Sequence, residues 1–222
     1  ISSLIYFGNF SSLFRGKVEG NPAIIETCTR IPYIIVCREY QLLNELNSIN
    51  NIVKITHLTR NPSQGIVSIS YQPFEFIPWT DTIPNDSLPK LLLVLLNILK
   101  DLHRNNVFHG WICRSSIYVT PNFESLTLGS FHASGKVGDA IALTPNHPCA
   151  PSKPSQTDKR ADDIFSAALW FISFYKQNPQ EVVAESKIDQ IPIDQSLIEL
   201  LKEMTKEKDD ERITAEVAAD KL

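Results

Sequence analysis

The sequence predicts an α+β protein, with a strand-rich first part and a helix-rich remainder. Two observations point there. Short β-prone runs punctuated by Gly, Pro and Asn crowd residues 1–72. Apolar residues at helical spacing dominate residues 73–222, with the boundary near Gln72-Pro73.

Leu4-Ile5-Tyr6-Phe7, Leu13 to Val18 and Ala23 to Thr29 read as three strands, the last two joined by the turn Glu19-Gly20-Asn21-Pro22. Tyr40, Leu42, Leu43, Leu46 and Ile49 then recur at helical spacing, with Arg38, Glu39 and Glu45 between them. Ile52-Val53-Lys54-Ile55 and Ile66 to Tyr71 complete five strands across the turn Asn61 to Gly65. Ser87-Leu88-Pro89 opens a helix, with proline in its first turn. Leu91 to His103 is apolar nearly all round, which predicts burial on most sides. Ile117-Tyr118-Val119 and Leu126-Thr127-Leu128 read as two small strands. Residues 132–160, rich in Gly, Pro, Ser and Lys, read as one long loop. Asp162 to Tyr175, Ser196 to Lys206 and Thr214 to Leu222 are the remaining helices.

Composition narrows the function classes. Hydrophobic residues make up 43% and charged residues 21% of 222, so the chain is neither disordered nor collagen-like. The net charge of −4 argues against an electrostatic nucleic-acid binder. Cys28, Cys37, Cys113 and Cys149 fit no CxxC or zinc spacing and read as buried thiols of a reducing compartment. No apolar run approaches the about 20 residues of a membrane span. The first residues carry no signal-peptide layout, so the expectation is a cytoplasmic or otherwise intracellular domain.

The order of elements resembles the protein-kinase fold, bilobal, with residues 1–72 as a small five-stranded N-lobe carrying one helix and 73–222 as a mainly helical C-lobe. Arg38 to Leu46, followed by Asn50 to Ile55, looks like helix αC entering strand 4. Leu99-Lys100-Asp101-Leu102-His103, then Val107-Phe108-His109, is similar to helix αE leading into the catalytic loop. Cys149-Ala150-Pro151, Asp163-Ile164-Phe165-Ser166 and Glu211-Arg212-Ile213 resemble the end of the activation segment, the start of αF and the closing helices. A fainter similarity to Scy-like pseudokinases lies in Ser115 to Val119 and Leu126 to Gly129.

The resemblance also says where kinase chemistry belongs, and those positions are degenerate. The glycine-rich loop keeps only Gly8, with Tyr6 and Ser11 in the flanking glycine places. The strand-3 lysine falls on Ile25; a shift by one gives Glu26, which repels phosphate. The catalytic aspartate is Trp111, which accepts no proton. The following lysine is Cys113, and the two magnesium ligands are Ser116 and Ser130. The implied protein is a pseudokinase that has no cofactor, binds neither ATP nor magnesium, does not hydrolyse ATP, and serves as a protein-binding scaffold or allosteric regulator. The alternatives are a nucleotide-binding kinase-fold protein with atypical or residual phosphotransfer, and an adaptor in membrane traffic or a nucleic-acid-associated complex.

The resemblance leaves structural roles. His109 packs under Phe131, and Asp163 is a buried acceptor for catalytic-loop N–H groups. Glu39, without its lysine, reads as a solvated helix carboxylate. Arg212 loses its usual partner, because the matching glutamate is Ser152, and either finds another acceptor or meets water. Phe74, Phe76, Ile77 and Trp79 are the candidate protein-interaction surface, with packing at the lobe junction as the alternative.

Overall fold

The computed structural model describes residues 3–7, 11–61, 63, 65–77, 82–139, 149–151, 155 and 159–222. Five antiparallel strands form one sheet: β1 Ser3–Phe7, β2 Ser11–Val18, β3 Asn21–Cys28, β4 Ile55–Asn61 and β5 Ile66–Tyr71. Their spatial order is β1-β2-β3-β5-β4. Glu19 and Gly20, at φ 51° and 85°, make the tight β2–β3 turn, where positive φ matches the twist of the flanking strands. Side chains alternate across β3, so Ile24, Glu26 and Cys28 are buried while Ile25 and Thr27 are half-buried on the other face.

Helix α1, Tyr33–Glu45, lies between β3 and β4. It starts earlier than the stripe from Tyr40 implied. Pro32 precedes it, and its buried stripe is Ile35, Val36, Glu39, Leu42 and Leu43. Leu46 and Ile49 are buried in the turns beyond its end. The fourth strand is also displaced from Ile52–Ile55. Ile52 instead forms a parallel bridge with Leu128, and Val53 N–H donates to the Leu128 carbonyl at 2.9 Å. An apolar run signals burial but does not choose its strand partner.

The rest carries helices α2 Leu88–Arg104, α3 Arg160–Ile172, α4 Pro179–Ala184, α5 Gln195–Met204 and α6 Ala215–Asp220. Helix α2 keeps only a narrow exposed stripe at Lys90, Asn97, Asp101 and Arg104. Helix α3 is buried at every residue from Asp162 to Ile172. Four short strands complete the fold: β6 Val107–Phe108, β7 Ile117–Val119, β8 Leu126–Leu128 and β9 Gly135–Lys136. β7 pairs with β8, and β6 with β9. The expected 132–160 loop therefore begins with ordered structure, a 3-10 turn at Phe131–Ala133 followed by β9.

Apolar burial is continuous across these elements. Leu13, Ile24 and Ile69 of the sheet share one cluster with Leu42 of α1, Leu95 and Leu99 of α2, and Trp170 of α3. Among the described residues, no helix is long and apolar enough to cross a membrane.

Candidate functional site

Asp163 organises the centre of the helical part. It sits in the first turn of α3, 1% exposed. Its Oδ2 accepts the His109 backbone N–H and its Oδ1 the Gly110 N–H, both at 2.8 Å. His103 Nε2, at the end of α2, lies 3.0 Å from Oδ2. His103 and His109 are thus brought to one carboxylate by tertiary packing, although their six-residue spacing gives them no common helix face.

His109 is fully buried. Its Nε2 donates to the Gly129 carbonyl at 2.9 Å, and its Nδ1 accepts the Trp111 N–H at 3.2 Å. That pattern needs the neutral ring. Burial outweighs nearby Asp163 and pushes the His109 imidazole down to about 4. The Phe131 ring stands edge-on to it, 4.6 Å between centroids.

A second polar cluster joins the sheet to the turn after β8. Glu26 of β3 is 3% exposed. It accepts the Ser11 hydroxyl at 2.5 Å and the Tyr71 hydroxyl at 2.8 Å. Glu39 of α1 is 1% exposed, which corrects its reading as a solvated carboxylate. The α1 stripe runs through position 39, so a charged residue is carried inward by its apolar neighbours. Glu39 Oε1 accepts the Phe131 N–H at 2.8 Å. Its Oε2 faces His132 Nδ1 at 3.8 Å, and among the described residues neither of these two atoms has a hydrogen-bond partner. Burial pushes the Glu39 carboxyl up, with His132 opposing. Burial lowers His132, but Glu39 and then Glu26 more than reverse this, leaving its imidazole above the ordinary range.

The remaining expected positions are engaged in backbone geometry. Ile25 lies in β3 opposite Phe14 and Ser70, and the buried, inward position is Glu26. Of the two positions the sequence offered there, Ile25 is half-buried and Glu26 is buried, because successive side chains of a strand point to opposite faces. Ser11 belongs to β2 rather than to a loop, and its hydroxyl is bound by Glu26. Ser116 is buried; its hydroxyl accepts the Cys113 N–H at 3.1 Å and donates to the Cys113 carbonyl at 3.0 Å. Cys113 is buried with Sγ 3.1 Å from Ser115 Oγ. Ser130 holds φ 62° in the turn after β8, and 9% of its surface is exposed. Trp111 is half-buried, its ring 5.8 Å from that of His132. Gly8, Ser152 and Trp79 lie outside the described residues.

Arg212 finds a new acceptor. Its Nη1 donates to Asp162 Oδ1 at 3.1 Å, and its Nε to the Lys206 carbonyl at 2.8 Å. Asp162 also accepts the Ser155 N–H at 2.9 Å, with Lys159 Nζ 3.6 Å away. The contacts of Asp162 with Arg212 and of His132 with Glu39 were not read from the sequence. Asp162 is legible only as an acidic residue in the first turn of an apolar helix. His132 carries no periodic signal at all.

Phe76 is buried, and Phe74 is half-buried. Both rings pack 5.1 Å from Tyr118. The large apolar side chain most open to water among the described residues is Ile34, at 74%. Half-buried Phe74 and Ile77 pack against the core beside buried Phe76.

Among the described residues, no group of three or more His, Cys, Asp or Glu side chains is arranged to hold a metal ion. No protein-family model and no curated protein matches this chain.

Proposed function

We propose that this chain is a catalytically inactive, protein-kinase-like domain that works by binding other proteins, as a scaffold or an allosteric regulator. One observation carries the reading. The resemblance puts the phosphate-holding lysine at Ile25 of β3 or, one residue on, at Glu26, and the inward of the two is the buried carboxylate Glu26, clamped by Ser11 and Tyr71. A second carboxylate, Glu39, stands near it. The Glu26 carboxylate repels the triphosphate that this position would have to bind.

Further features support the reading. The sheet order, with α1 inserted between β3 and β4, accords with a kinase-like small lobe. Asp163 holds the backbone at His109-Gly110, and Phe131 packs on His109. Ser116 and Ser130 offer neutral hydroxyls, that of Ser116 already donating to the Cys113 carbonyl, a poor donor set for a hard dication. Among the described residues no disulfide joins Cys28, Cys37, Cys113 and Cys149, in keeping with the reducing compartment proposed for the chain. The charge balance of −4 speaks against nucleic acid as the partner.

The test is thermal unfolding with ATP and magnesium. We expect no change in Tm up to millimolar nucleotide, and no transfer of labelled phosphate. A ligand at 100 times its Kd would stabilise the fold by about 2.7 kcal/mol, or about 5–11 °C for a chain of this size. A saturable shift of that order would overturn the reading.

A further inference from the structure

We propose that Glu39 and His132 form a proton-operated latch that docks α1 onto the turn following β8. Glu39 spans two adjacent residues of that turn. One oxygen takes the Phe131 N–H at 2.8 Å and the other faces the His132 ring nitrogen at 3.8 Å. Glu39 and His132 are 0% and 7% exposed in their side chains. The turn is also tied to the helical part, since the Ser134 hydroxyl donates to the His109 carbonyl at 2.7 Å. Helix α1 is held besides by its buried apolar stripe and, at the surface, by Arg38 on Asp139 at 2.6 Å and Glu45 on Lys136 at 2.8 Å, so opening the latch loosens its inner contact with the turn.

The groups around the pair fix the sign of its response. Glu39 meets His132 from the turn and Glu26 from β3, with Tyr71 of β5 and Cys28 of β3 also near. His132 meets Glu39, Glu26 and the neutral His109, with the Trp111 ring 5.8 Å away. Both acids face His132, and His109 is held neutral by its own hydrogen bonds. One proton shared between Glu39 and His132 keeps the pair balanced, whichever atom carries it. Without that proton, a buried carboxylate keeps one N–H donor and stands near a second carboxylate. A buried, unpaired charge is strongly unfavourable, and undocking α1 lets water reach it.

Both groups are raised above their ordinary values of 4.5 and 6.5. The docked form therefore holds the proton more tightly than a released one. Its stabilisation is complete below the ordinary imidazole value and is lost as pH rises through the docked-state value. The latch is closed in mild acid and opens toward alkaline pH. It does not depend on the kinase-like reading, because it rests only on these two side chains and their neighbours.

Amide hydrogen exchange on the full chain tests it, at about pH 5.5 and about pH 8.5, with base catalysis of the intrinsic rate divided out. We expect the amides of α1 to lose protection by about tenfold or more at the higher pH, and β7 and β8 to change little. His132→Gln and Glu39→Gln should each flatten that dependence to within about twofold. Unchanged α1 protection in the wild type would overturn the proposal. So would an undiminished slope in His132→Gln, which would assign the response to another group such as the half-exposed His57 near Glu19. Should either variant fail to fold, the His132 ring is titrated by NMR in the wild type. A midpoint above 6.5 supports the latch, and one at or below it refutes it.

Discussion

Replacing Asp163 by alanine removes the acceptor for two buried backbone donors at once. His109 N–H and Gly110 N–H each end on this carboxylate at 2.8 Å, and His103 loses its partner at 3.0 Å. Leaving a buried donor unsatisfied costs about 1–3 kcal/mol. Two such donors, one of them beside the only half-buried Gly110, place the loss at about 4 kcal/mol. For a chain of this size that lowers Tm by about 8–16 °C. Asp163→Asn keeps one acceptor oxygen and should lose about 2–3 kcal/mol. Urea unfolding followed by circular dichroism measures both, and an unchanged m value shows that the denatured state is the same. If Asp163→Ala unfolds within about 1 kcal/mol of the wild type at equal m, the carboxylate is not what holds this segment, and the reasoning fails.

Two further substitutions probe the surrounding frame. Gly110 has φ 74°, and a Cβ there would lie 2.7 Å from the Ala133 carbonyl oxygen, so Gly110→Ala should cost about 2–4 kcal/mol by thermal unfolding. A neutral result would mean that the two backbones separate without penalty. Arg212 and Asp162 form a buried ion pair at 3.1 Å, partly shared with Lys159. A double-mutant cycle to alanine should give a coupling of about 1–3 kcal/mol, and simple additivity would show that the backbone carbonyls alone hold Arg212.

Local patterns were readable where one period and one partner sufficed. Ile117–Val119 and Leu126–Leu128 are strands because their β-branched and apolar runs are short and bounded by turn residues. Helix α2 begins at Leu88 as Pro89 in its first turn implies. The readings slipped where a residue's role depends on a distant neighbour. The stripe of α1 looked apolar from Tyr40 onward, yet the buried face includes Glu39. Ile25 and Glu26 are adjacent in sequence, and only pairing with Phe14 and Ser70 on one strand face, and with Leu13 and Ile69 on the other, tells which is inward.

The amino-acid order by itself determined that strands come first and helices after, and that the chain buries a large apolar core. Those properties follow from composition and from periods of 2 and 3.6, which are local. Tertiary structure alone decided that Asp163 gathers His103, His109 and Gly110, that Arg212 pairs with Asp162, and that Glu39 meets His132. Each partner is separated by between 50 and 93 residues along the chain. Polar groups in a low-dielectric interior must be satisfied by whatever the packing brings near, and no local pattern records which group that is.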